Sequence, residues 1–187
     1  PDRGPTDLDP YASDNDVIIG DNGELLFADK TIEDNFGRLE LIRTTDEVET
    51  TGGADTVYGE EGADVILGGV NNGGIDKLYG DYYDYDTIST PPITVGNDVI
   101  LGDNGELDFA LGSDTNLDTL DLIRSYRDGL GGEDWISGSQ GYDVLIGGTA
   151  GDKMYGDDEF ATNGDLDGED IMLGDNARIE LTGTEGR

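Results

Sequence analysis

The sequence predicts an all-β protein: a parallel β-roll or β-helix solenoid with β-hairpin excursions. Three observations predict it. Aspartate, a branched or unbranched apolar residue and glycine recur on a nine-residue clock, as in "GGADTVYGEEGADVILGG" from Gly52 to Gly69. A longer unit repeats over that clock. Glycine makes up 31 of 187 residues, a density that no long helix survives.

The clock is defined by Asp16, Asp55, Asp64, Asp76, Asp86, Asp98, Asp134, Asp143, Asp152 and Asp170. Two places on stand Ile18, Val57, Ile66, Leu78, Ile88, Ile100, Ile136, Leu145, Met154 and Met172. Four places on, nine of the ten residues are glycine, with Thr90 the exception. The triplets after the aspartates, such as "VIL", have strand propensity. Glycine-rich stretches such as "GEEGAD" permit the positive φ of sharp turns. Strand of three and turn of six, taken twice, make a flattened coil of about eighteen residues. Stacked coils pair their strands in parallel, with the middle apolar residue pointing inward.

The longer unit is visible where "NDVIIGDNGEL" (Asn15–Leu25) returns as "NDVILGDNGEL" (Asn97–Leu107) and begins again as "EDIMLGDNARI" (Glu169–Ile179). "LELIR" at Leu39–Arg43 matches "LDLIR" at Leu120–Arg124. The units measure 82 and 72 residues, from Asp16 to Asp98 and from Asp98 to Asp170. We read residues 1–187 as one continuous segment, with unit 1 at 14–95, unit 2 at 96–167 and the start of unit 3 at 168–187. Such a segment is expected to come from a tandem array. The start "PDRGPTDLDP", without an initiator Met or the apolar core of a signal peptide, reads as an excised piece of something longer.

Each unit leaves the clock after "GDNG". Leu107, Phe109 and Leu111 alternate with Asp108 and Ala110, and Leu120 and Leu122 flank Asp121. Period-two patterning on both sides of a polar turn predicts a β-hairpin lying against the coil. Its apolar side is expected to cover Val17, Ile19, Val99 and Leu101.

Charge narrows the function. With 44 acidic and 10 basic side chains, the net charge is -34. Compaction works against that self-repulsion. Nucleic acid is excluded as a partner because phosphates need Lys and Arg, and anionic membrane surfaces are disfavoured. No apolar stretch reaches the ~18 residues of a spanning helix, so no membrane insertion is expected. With neither Cys nor His, disulfides and thiolate or imidazole sites are absent. A metal must then be held by oxygen, which selects a hard cation such as Ca²⁺ or Mg²⁺. Glycine-rich turns expose carbonyl oxygens, and one aspartate per turn adds charge. A cation bridging stacked turns would staple one coil to the next. Ten such ions would move the charge from -34 to about -14.

The motif G-G-x-G-x-D-x-U-x marks a Ca²⁺-binding parallel β-helix. The chain carries it as "GGADTVYG", "GEEGADVILG", "NDVILG", "GGEDWISG", "GSQGYDVLIG" and "GGTAGDKMYG". It resembles the repeats-in-toxin family, also called hemolysin-type calcium-binding repeats. The resemblance spans about residues 12–27, 51–110 and 129–181, degenerate at the first two glycines and close in D-x-U-x-G. It implies side-chain metal ligands at Asp16, Asp55, Asp64, Asp76, Asp98, Asp134, Asp143, Asp152 and Asp170. Asp86 lacks the trailing glycine, and Asp76 follows the expansion "GGVNNGGID", which is expected to distort its turn. Asn15 and Asn97, just before Asp16 and Asp98, join the candidate set. Asp21, Asp103 and Asp175 of the "GDN" turns have two roles open to them: ligands at the margin, or caps where the hairpin leaves the coil.

"DLDGED" at Asp165–Asp170 is not an EF-hand, because positions six and twelve hold Asp170 and Asn176 instead of Gly and Glu. Tyr82, Tyr83 and Tyr85 read as turn packing before they read as a sugar platform. Trp135 is expected to be half-covered, and Arg43 and Arg124 to neutralise charge. The aspartates occupy equivalent turns, whereas acid–base catalysis needs carboxylates in unlike settings. No histidine base, cysteine nucleophile or G-x-S-x-G motif is present, so the segment reads as non-catalytic.

The expected function is a calcium-stiffened structural module of a secreted or cell-surface protein: a stalk, adhesin or filament subunit, with end-to-end self-association into fibres. The resemblance supports an extracellular location. The alternative is an accessory folding module of a secreted protease, lipase or toxin. A surface glycan partner held by the tyrosine cluster is a third reading.

Overall fold

The computed structural model describes residues 15–28, 37–81, 96–112, 116–157 and 168–181. The described residues are all-β, apart from one 3₁₀ turn at Glu49–Thr51. Three sheets lie in layers.

The central sheet holds β1 (Val17–Ile19), β5 (Val65–Leu67), β7 (Val99–Leu101), β11 (Val144–Gly148) and β13 (Ile171–Asp175), in that order and all parallel. A second parallel sheet holds β4 (Thr56–Glu60), β6 (Asp76–Asp81), β10 (Asp134–Ser139) and β12 (Lys153–Asp157). The chain passes between these two sheets alternately, β1 to β4 to β5 to β6 and onward to β13. Nothing shifts the register: Ile18, Ile66 and Ile100 align across the central strands, and Val57, Leu78, Ile136 and Met154 across the other.

The residue two places after eight of the aspartates points between these sheets, as the clock predicts; Met172, on the outermost strand, is instead 49% exposed, and Ile88 lies outside the described residues. Val57, Ile66, Leu78, Ile100, Ile136 and Leu145 form one buried cluster, with Ile18 and Met154 at its margins. Central strands are apolar at all three positions because both faces are covered. In the second sheet, flanking Thr56, Tyr58, Lys77 and Lys153 are exposed, Tyr79, Trp135 and Tyr155 are half-buried and Ser137 is buried. Trp135, half-buried as expected, lies under the Lys153 ammonium at 3.9 Å from its ring centre.

The third layer is antiparallel. It holds β2 (Gly23–Phe27), β3 (Leu39–Thr44), β8 (Gly105–Asp108), β9 (Leu122–Ser125) and β14 (Arg178–Glu180). β2 with β3 and β8 with β9 are the two predicted hairpins. They do more than lie on the coil. β3 pairs with β8 and β9 with β14, so excursions of successive units join into one continuous sheet. A second core forms beneath it, from Ile42, Leu107 and Ile123 against Leu67, Leu101 and Ile146. Ile19, Val99 and Leu101 are covered as expected, whereas Val17, on the outermost strand, stays 38% exposed. On this sheet Arg43 pairs with Glu24, and Arg124 with Glu106 at 2.8 Å.

Candidate metal centres on two edges

The alternating path brings the repeat aspartates into two rows. Asp16, Asp64, Asp98, Asp143 and Asp170 each precede a central strand. Asp55, Asp76, Asp134 and Asp152 lie at the start of the second-sheet strands. Within a row, neighbours are tied by one repeated contact: a backbone N–H donates to the Oδ1 of the next aspartate. Asp16 donates to Asp64 at 2.7 Å, Asp64 to Asp98 and Asp98 to Asp143 at 2.8 Å, and Asp143 to Asp170 at 3.0 Å. In the other row Asp55 donates to Asp76 at 2.8 Å and Asp134 to Asp152 at 3.0 Å.

The second carboxylate oxygen has no such use. Oδ2 of Asp55, Asp64, Asp76, Asp98, Asp134, Asp143 and Asp152 is buried without a hydrogen-bond partner. Buried carboxylate oxygens carry a high cost when unpaired. Each faces a notch that a glycine keeps open. A Cβ on Gly59 would stand 2.4 Å from Asp64 Oδ2 and 2.5 Å from the Gly80 carbonyl oxygen. A Cβ on Gly102 would stand 2.2 Å from Asp134 Oδ2 and 2.5 Å from the Gly147 carbonyl oxygen. The same pairing of aspartate and carbonyl recurs at Gly20, Gly68, Gly80, Gly138 and Gly147. The fourth-place glycine is therefore required by space: it leaves room where a carboxylate and the carbonyl of the adjoining coil converge.

Electrostatics agrees. Burial foremost, with neighbouring aspartates adding, pushes Asp98 and Asp134 up to about 9, and Asp76, Asp143 and Asp152 up to about 6. Asp64 is raised by burial too. The chemistry on offer is hard anionic and carbonyl oxygen in a cramped, desolvated notch, the donor set that suits Ca²⁺. Among the described residues no three acidic side chains converge to hold a metal. The converging oxygens are instead one carboxylate oxygen and backbone carbonyl. Bound Ca²⁺ would supply the positive charge these oxygens lack.

The remaining candidates divide. Asp76 keeps its place in the register opposite Asp134, because the expansion before it closes as a turn in which the Gly74 N–H donates to the Asn71 carbonyl at 2.6 Å. The expected distortion does not reach Asp76. Asp21 accepts the Gly53 N–H at 3.0 Å through Oδ1 and leaves Oδ2 buried and unpartnered. Asp103 accepts the Gly132 N–H through Oδ1 at 3.0 Å and the Thr149 N–H through Oδ2, the geometry of a cap. Asp175 is exposed. Asn15 and Asn97 accept the N–H groups of Ala63 and Tyr142 at 3.0 and 3.1 Å, which spends their amide oxygens on tying turns together. Asp86, Tyr82, Tyr83 and Tyr85 lie outside the described residues.

Sequence reasoning missed Asp81, Asp46 and Asn71. Asp46 holds the first "GDN" turn by accepting the Asn22 side-chain amide at 2.7 Å and its backbone N–H at 3.1 Å. Asn71, inside the expansion, donates to Asp134 Oδ1 at 2.8 Å. The signal for Asp81 is its position, the fifth after a repeat aspartate, which Asp21, Asp103, Asp157 and Asp175 also hold.

The family profile of the RTX calcium-binding nonapeptide repeat matches residues 44–75 and 128–159. Those segments contain Asp55, Asp64, Asp134, Asp143 and Asp152. No curated protein and no solved structure matches the chain. Residues 44–75 and 128–159 are thus similar to the RTX calcium-binding nonapeptide repeat, four copies of which the profile finds there.

Proposed function

We propose that the chain is a calcium-stabilised β-roll solenoid with a structural task in a secreted or cell-surface protein. One observation carries this reading: in both rows, the aspartates meet their neighbours through Oδ1 and leave Oδ2 buried and unpartnered beside a glycine notch. Alternation of strands between two parallel sheets supports the solenoid reading. Calcium ions, one or more per edge, would hold coil to coil. RTX repeats occur in secreted bacterial proteins, which supports an extracellular place where calcium is plentiful. Among the described residues no helix is long and apolar enough to cross a membrane.

The task we favour is that of a stalk, adhesin or filament segment. Its support is the pair of ends that carry no further strand among the described residues. At one, β2 presents Leu25, Leu26 and Phe27 at 40%, 42% and 55% exposure; at the other lie Ile171, Met172 and Leu181. Unpaired apolar strand edges take a further strand, from the next repeat or from a second copy. No catalytic role is proposed, because the repeat aspartates share one arrangement, Oδ1 on a neighbour's N–H and Oδ2 at a notch. The second reading is an accessory folding module beside a secreted enzyme or toxin, and it rests on the repeat family alone.

Circular dichroism during calcium titration tests the calcium reading. Sheet signal should collapse in chelator and return cooperatively with Ca²⁺, with Mg²⁺ far less effective because it demands tight octahedral geometry. Sheet content unchanged after EDTA, with no metal left by elemental analysis, overturns it. Sedimentation at rising protein concentration in calcium tests end-to-end association.

A further inference from the structure

Both faces of the central sheet are covered, but among the described residues no strand lies over the outer face of the second sheet. Val57, Leu78, Ile136 and Met154 turn inward, so the residues on either side of them turn outward. The register sets these in two rows across β4, β6, β10 and β12. Thr56, Lys77, Trp135 and Lys153 form one row. Tyr58, Tyr79, Ser137 and Tyr155 form the other.

These rows differ from the rest of the chain. Of 187 residues 44 are acidic, yet neither row contains a carboxylate. Two of the three lysines and the one tryptophan stand here. No Leu, Ile, Val or Met is among them, and every side chain carries a hydrogen-bonding group. The rings are ordered against one another. Tyr58 and Tyr79 stack with centroids 5.2 Å apart and planes 13° apart. The Lys153 ammonium lies 3.9 Å from the Trp135 ring centre and 4.8 Å from that of Tyr155, so one cation is held between two rings.

Without aliphatic side chains, the face is a poor seat for an apolar protein surface or for acyl chains. Aromatic rings ringed by donors suit a polymer of C–H faces and hydroxyl edges, which is a sugar chain. Two cations in an acidic chain call for carboxylates on that polymer. β6 and β12 stand two strand spacings apart, about 9–10 Å, roughly the span of two linked sugar rings. We propose that this face binds an acidic polysaccharide with a carboxylate on alternate sugars. Lys77 and Lys153 pair with the carboxylates, and Tyr58 and Trp135 pack against the rings. The proposal rests on the calcium reading for the fold alone, and it gives the adhesin task a class of ligand.

Isothermal titration of the full chain in saturating calcium tests this, with circular dichroism in the same buffer reading the fold separately. A hyaluronan oligosaccharide, with a carboxylate on every second sugar, should bind saturably and shift the emission of Trp135, the one tryptophan. A neutral cello-oligosaccharide of equal length should bind at least about tenfold more weakly. Lys77→Gln with Lys153→Gln should cost the acidic oligosaccharide at least about tenfold. Tyr58→Ala should also weaken it, which a bare patch of charge would not require. Sheet content should hold in these variants, because all three residues are exposed. Arg38→Gln and Arg178→Gln, at the antiparallel layer, should leave binding unchanged. Binding by the native chain should weaken as NaCl rises, a measurement that needs no variant. No binding by the folded native chain, salt-independent binding, undiminished binding by the lysine variant, or polyglutamate binding as tightly overturns the proposal and leaves the calcium reading standing.

Discussion

Asp98 accepts the backbone N–H of Asp64 at 2.8 Å and donates its own to Asp143 at 2.8 Å. One residue therefore ties three coils, and its remaining oxygen is buried beside the Gly138 carbonyl without a partner. Asp98→Asn isolates the cost of that oxygen. The amide keeps Oδ1 as an acceptor and puts an N–H where the charge was. We expect more sheet in chelator than in the native chain, by about 1–3 kcal/mol for satisfying a buried group. The response to calcium should shrink in parallel. Chemical denaturation with and without calcium measures both.

Acid should stabilise the metal-free fold. Burial pushes Asp98 and Asp134 up to about 9, Asp81 to about 8 and Asp103 to about 7, against the ordinary 3.8. Groups raised on folding favour the folded state while protonated. Their contribution is fully present below about 4 and is lost as pH rises through about 7 to 9. In EDTA, the melting temperature should fall from pH 4.5 to pH 8.5. In saturating calcium the trend should reverse, because protons and Ca²⁺ compete for the same oxygens. A metal-free melt independent of pH would contradict the burial of these carboxylates.

Glycine is needed at the notch and not at position 53. Gly102→Ala places a methyl 2.2 Å from Asp134 Oδ2 and 2.5 Å from the Gly147 carbonyl oxygen, and the latter is backbone. Overpacking of this kind costs about 1–3 kcal/mol, and the calcium midpoint should rise several-fold. Gly53→Ala meets nothing within 4 Å and should leave the calcium titration unchanged.

The hairpin layer should prove integral to the fold. Leu107 is fully buried between the antiparallel sheet and the central one. Leu107→Ala should cost about 2–5 kcal/mol, read as a lower denaturation midpoint in calcium. Leu25→Ala removes the corresponding residue of β2, which is 40% exposed at the open edge, and should cost far less.

The sequence announced what the clock could carry. Aspartate, apolar and glycine positions map onto edge, core and notch with no register slip, because period and geometry are the same quantity in a repeat. The hairpins were legible from alternation around Leu107 and Leu120. Their fusion into one sheet was not, because pairing of β3 with β8 depends on how units stack in space. The clock also cannot register burial or hydrogen bonding at a position it does not fix. Asp81 reads as one more acid in an acidic chain until its burial is known, and Asp103 looks like a ligand until Gly132 and Thr149 are seen to occupy both its oxygens.

Strands of the central sheet follow one another at a spacing of about 4.8 Å. Unit 2 contributes two of them, β7 and β11, for its 72 residues. One unit therefore lengthens the body by about 10 Å, where an α-helix of equal length would reach about 110 Å. The architecture spends chain on girth, and any appendage made from it would gain rigidity per residue at the expense of span.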